Sequence, residues 1–83
     1  MTEREELILS AVLDRLADTE APMAEAMIHA LVQNKLGAVI SSAELAAVLQ
    51  LADQRGLAIG LPGVKGRVRW SLSDKGRHYR ANK

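Results

Sequence analysis

At Gly56 the hydrophobic period of this chain changes, and few small folds accommodate such a change. Before it, apolar residues recur at the spacings of helices that bury one face. After it, Leu57, Ile59 and Leu61 alternate with Ala58 and Gly60, and Val68, Trp70 and Leu72 alternate with Arg67, Arg69 and Ser71. A period of two belongs to strands, whose successive side chains point to opposite faces. Between the two runs, "PGVKG" supplies Pro-Gly and a second Gly for a turn. The segment therefore predicts a hairpin with one buried and one solvated side, attached to a helical body.

The helical body has its own punctuation. Thr2 and Glu5 are spaced as a capping box, and Ile8, Leu9, Val12, Leu13 and Leu16 follow on one helical face. This first helix is expected to end near Ala17, ahead of "DTEAP". Pro22 suits the first turn of a second helix, because its missing N–H is not needed there. Ala24, Met27, Ile28 and Leu31 form the expected buried stripe, with Met23 and Val32 at its edges and Gly37 as the C-terminal cap. "AVI" after Gly37 is too short for a helix and reads as a stub of strand. Ser41 with Glu44 makes a second capping box, opening a third helix from Ala43 to Arg55 that turns Leu45, Val48, Leu49 and Ala52 inward. Ser73-Asp74 starts a short terminal helix.

Net charge conceals the other large feature. Up to Gln54 there are three Lys and Arg against nine Asp and Glu; from Arg55 onward there are eight against Asp74 alone. The whole chain carries only +1. Segregation of this kind prepares one region for a polyanion or an acidic partner.

The predicted order, and two stretches in particular, resemble the winged helix-turn-helix superfamily. "SSAELAAVLQLADQRGLAIG" is a capped helix running into Arg55-Gly56-Leu57, and "GRVRWSLSDKGRHY" is similar to a wing strand followed by the "L-[ST]-x-x-G-R" helix start of bacterial winged-helix regulators. The resemblance covers nearly the whole chain. It implies an α+β, mainly α fold: a three-helix core, a short strand, a two-stranded β wing and a short terminal helix, in one domain over 1–83. It also implies that the third helix enters the major groove of double-stranded DNA and that the wing touches the backbone or the minor groove. On that helix the outward residues are Ser42, Ala43, Ala46, Ala47, Gln50 and Gln54. Gln can bond an adenine edge and Ala can contact a thymine methyl. No Lys or Arg accompanies them, and Glu44 and Asp53 flank the face, so close packing on another protein is the competing use.

Phosphate contact is expected from Lys65, Arg67 and Arg69 on the wing and from Lys75, Arg77 and Arg80 beyond it. Charges that keep an edge strand from pairing elsewhere account for Arg67 and Arg69, though not for the scarcity of acids around them. Trp70, alternating with Val68 and Leu72, is expected in the core. His29 reads as a surface residue of the second helix, His78 as a further phosphate contact, and the three Met residues as packing.

Other classes of function find little support. There is no Cys, hence no disulfide framework or thiolate metal site, and two distant histidines assemble no catalytic constellation. "GLPGVKGR" lacks the Gly-Lys-Ser/Thr ending of a P-loop. No apolar run approaches the roughly 20 residues that cross a bilayer, and "MTEREEL" lacks the basic-then-apolar order of a secretory signal. The expectation is a cytoplasmic, non-enzymatic regulator that needs no cofactor and binds DNA as a homodimer across two half-sites. The alternative is a winged-helix interaction module, or a small accessory protein, whose basic wing docks on an acidic partner.

Overall fold

The computed structural model describes residues 1–82. It runs α1 (Glu3–Ala17), β1 (Met23–Ala24), α2 (Glu25–Leu36), α3 (Ser42–Gln54), β2 (Ala58–Pro62), a 3-10 turn (Val64–Gly66), β3 (Val68–Leu72) and α4 (Asp74–Ala81). The three strands form an antiparallel sheet in the order β1-β3-β2. This is a winged-helix fold, mainly helical, with a three-helix core and a two-stranded wing. Among the described residues no helix is long and apolar enough to cross a membrane.

Local chemistry sets the helix starts. Both capping boxes form: Thr2 and Glu5 exchange bonds of 3.1 Å, and Ser41 and Glu44 exchange bonds of 3.0 and 3.2 Å. Each satisfies amide donors that a helix leaves orphaned, and such a cap typically stabilises by about 1 kcal/mol. Ser73 caps α4 by accepting from the Gly76 N–H at 2.9 Å. Gly37 ends α2 in the left-handed conformation (φ 62°), where glycine carries no steric penalty.

The core joins the helices to the sheet. Ile8, Leu9, Val12, Leu13 and Leu16 of α1 are buried against Leu45, Val48, Leu49 and Ala52 of α3 and against Leu57, Trp70 and Leu72. The α1 and α3 stripes are those the helical period predicts. Trp70 is 8% exposed, as its place in the alternation requires.

Three expectations are corrected. The stub of strand lies before α2, not after it: Met23 and Ala24 pair with Trp70 and Arg69, while 38–40 form no strand. Pro22 consequently precedes a strand residue, and α2 starts only at Glu25. Its buried face is then narrower than expected. Ile28 and Val32 point inward with Leu36 packed beside them, Leu31 is half-buried, Ala24 is exposed, and Met27 is 55% exposed.

The third correction is the phase of β2. Directly opposed residues share a face of a sheet, and Gly60 opposes Trp70 while Ala58 opposes Leu72. Small residues thus take the buried side of β2. A Cβ on Gly60 would lie 3.4 Å from carbons of the Trp70 ring, so the bare glycine gives the indole its space. Ile59 and Leu61 share the solvated side with Ser71 and Arg69.

Gly76 explains the glycine of the "L-[ST]-x-x-G-R" stretch. A Cβ there would sit 2.1 Å from the Leu57 carbonyl oxygen, so only glycine lets the first turn of α4 approach the entrance to the wing. Ser73 fastens the same junction. Its N–H donates to the Leu57 carbonyl at 3.2 Å, and its hydroxyl donates to the Gly56 carbonyl.

Candidate nucleic-acid interface

The exposed side of α3 carries Ser42, Ala43, Ala47, Gln50 and Gln54, all open to solvent. Ala46, expected among them, is half-buried, because it lines a hollow beside the helix. That hollow, of about 460 Å³, is bounded by Ala24, Glu25 and Ala26 at the head of α2, by Ala46 and Gln50 of α3, and by Arg67, Val68 and Trp70 at the wing. Gln50 and Arg67, from segments separated by β2 and the wing turn, therefore face one space.

The hollow continues in both directions. Toward the wing tip it adjoins one of about 280 Å³ lined by Ala24, Lys65, Arg67 and Arg69. Toward the start of α3 it adjoins one of about 180 Å³ lined by Glu25, Ala26, His29, Ser42 and Leu45. A furrow thus runs from Ser42 to Lys65. Its wing end is basic, its middle is amide and apolar, and Glu25 is the acid on its wall.

The turn at the wing tip is built to present Lys65. Gly63 lies so close to the opposite limb that a Cβ would stand 2.2 Å from the Arg67 carbonyl oxygen, and Lys65 adopts a left-handed φ of 60°. Such a conformation is uncommon for a residue with a side chain. Lys65, Arg67 and Arg69 are all exposed.

Ion pairing divides the cations. Arg4 pairs with Glu44, Arg15 with Asp18, and Lys35 and Arg80 share Asp14. Among the described residues no carboxylate comes within 4.0 Å of Lys65, Arg67, Arg69, Lys75 or Arg77 in an ion pair. Arg80 donates from Nε to Asp14 at 2.6 Å, with Lys35 at 3.5 Å from the other oxygen. Partial burial works to raise the Asp14 carboxyl, and the bonds and charges of Arg80 and Lys35 outweigh it, leaving it below the usual carboxylate range. Arg80 is thereby tied to α1, and it stands apart from the three wing cations. Lys75, Arg77 and His78 are exposed on α4, the stem of Lys75 lying over Gly56.

Three residues position the head of α3 without any sequence signal that they do so. His29, expected at the surface, is half-buried and donates from Nε2 to the Ile40 carbonyl; Gln33, one turn on, accepts the Ile40 N–H at 2.9 Å. Together they clasp both backbone groups of the residue that leads into α3. Arg4 reaches from α1 to both Glu44 oxygens, with Nε and with a terminal nitrogen at 3.2 Å, and also donates to the Val39 carbonyl at 3.0 Å. The Glu44 carboxyl, bonded first by Arg4 and then by the Ser41 N–H, is held down to about 2. A spacing of i, i+4 on α2 marks His29 and Gln33 as neighbours, but their target lies beyond the helix.

No cluster of three His, Cys, Asp or Glu side chains suited to a metal occurs among the described residues. The fold has a solved counterpart. A crystal structure of a candidate transcriptional regulator from Thermoplasma acidophilum superposes with a TM-score of 0.84 at 21% identity, covering 99% of this chain and 81% of that one. No protein-family model matches the chain, and comparison with curated proteins gave no match.

Proposed function

We propose that the protein is a transcriptional regulator that binds double-stranded DNA, with α3 along the major groove and the wing against the phosphate backbone. One observation carries the reading: Gln50 of α3 and Arg67 of the wing line the same hollow, beside cations that meet no carboxylate among the described residues. Phosphate contacts supply most of the affinity in such complexes, and base contacts supply selectivity. Lys65, Arg67 and Arg69 are the primary phosphate ligands, and Lys75 and Arg77 are secondary. Ser42, Ala43, Ala47, Gln50 and Gln54 are the residues presented to bases. The similarity to a candidate transcriptional regulator supports the fold through which this is done. A homodimer doubles the few contacts that one small wing and one helix can make.

The exposed Ala43 and Ala47, with no cation on the same helix face, favour a second reading in which α3 packs on a protein and the wing docks on an acidic partner. Titration of duplex DNA at several salt concentrations separates the two. Each phosphate neutralised contributes about 0.9 to the slope of log affinity against log salt. Changing Arg67 and Arg69 together to Ala is expected to weaken binding to all sequences and to lower that slope by up to about 2. Gln50→Ala is expected to weaken a selected sequence while sparing random duplex. Absence of duplex binding at low salt, where the attraction is strongest, rejects the regulator reading in favour of the acidic partner.

A further inference from the structure

Glu44 poses a problem that the structure solves. It belongs to the first turn of α3, and in helix-turn-helix proteins the N-terminal residues of the recognition helix are those that approach base edges and phosphates. A carboxylate there repels a polyanion, yet the capping box needs a Glu or Gln at that position. Arg4 bonds both Glu44 oxygens from α1 and holds the Val39 carbonyl in the preceding turn. The pair spans 40 residues of sequence and joins the acidic N-terminal segment to the head of α3.

We propose that Arg4 is a positioning residue for DNA binding: it holds the Glu44 carboxylate neutralised in the α1–α3 junction, so that the first turn of α3 presents no net negative charge to nucleic acid. This rests on the DNA-binding reading above. Arg4 acts through Glu44 and does not itself touch phosphate. The segregation of charge in the sequence thereby acquires a second half. The basic wing supplies attraction, and one cation of the acidic segment neutralises the carboxylate at the head of α3.

The test is a charge cycle on the full chain, read by affinity for a random duplex at low salt and by thermal unfolding. Glu44→Gln keeps the capping box and removes the charge. Arg4→Ala leaves Glu44 bare and is expected to weaken binding about two- to fivefold, the scale of an exposed charge interaction. Arg4→Ala combined with Glu44→Gln is expected to bind as the wild type does, and Glu44→Gln alone at least as well. If the double variant stays as weak as Arg4→Ala, Arg4 either contacts phosphate directly or acts only by holding the turn, and the proposal is overturned. Unchanged binding by Arg4→Ala overturns it equally. Carboxyl titration by NMR gives a readout without DNA: the Glu44 pKa, held at about 2, should rise in Arg4→Ala. A wild type with that depressed pKa and no duplex binding would keep the ion pair but reject the regulator reading, and this role with it.

Discussion

The helical half and the wing use the same side chains in opposite ways. Arg4, Arg15 and Lys35, the cations of the first 54 residues, all meet carboxylates. Lys65, Arg67 and Arg69 on the wing meet none among the described residues, although the chain carries nearly as many acids as bases. The difference lies in placement. Most of the acids sit on helices that pack against one another, so Arg4 and Lys35 find one on a neighbouring helix, and Arg15 finds Asp18 just past the end of its own. The wing projects a two-stranded hairpin from its Trp70 base, and the acids do not follow it. Charge in the helical half meets its counterpart within the fold; charge on the wing meets no carboxylate among the described residues.

The wing's attachment should be the most sensitive part of this contrast. Trp70→Ala removes the ring that fills the space against Gly60 and joins the hairpin to the core. Truncating a large buried aromatic costs about 3–5 kcal/mol, much of a small domain's stability. Calorimetry should show a melt lowered by many degrees; an unchanged melt would mean that the wing is not anchored through Trp70. Next comes Gly76→Ala, whose methyl would collide with the Leu57 carbonyl where α4 meets the wing. Overpacking of this kind costs about 1–3 kcal/mol, measurable by urea unfolding.

Asp14→Asn probes the helical half and should act less strongly. It loses the charge on which Lys35 and Arg80 converge, and partly exposed pairs contribute up to about 1 kcal/mol. The sign with pH is definite. The folded carboxyl lies below its unfolded value, so its contribution is present above the ordinary Asp pKa of about 3.9 and is lost as pH falls through the folded value. The wild type should therefore lose its advantage over Asp14→Asn on acidification, and a constant difference from pH 6 to pH 2 would contradict the ion-pair account. Smallest of all should be Arg67 and Arg69 changed together to Ala, which alters stability within about 0.5 kcal/mol because both side chains face water. A large loss would show that the wing cations serve the fold after all.

Much of the site's scaffold was legible in advance, because its signals are local. Hydroxyl and carboxylate three residues apart marked where α1 and α3 begin. The four residues that α3 buries follow from its period, and Trp70 follows from its neighbours Arg69 and Ser71. The phase of β2 was not legible: Ile59 and Leu61 are larger than Ala58 and Gly60, yet the indole opposite them needs the small pair. Nor was the narrow face of α2, since β1 claims Met23 and Ala24 before the helix can bury them.

Sequence by itself determined the caps, the change of period at Gly56 and the division of charge, because each depends on residues a few positions apart or on simple counts. Only the tertiary structure decided which cations are free. Arg80 finds Asp14 across 66 residues and Arg4 finds Glu44 across 40, and His29 finds the Ile40 carbonyl beyond the end of its own helix. An ion pair falls off with distance in space and is indifferent to distance along the chain. Until the helices pack, nothing distinguishes an arginine that ties the fold from one that waits on the wing.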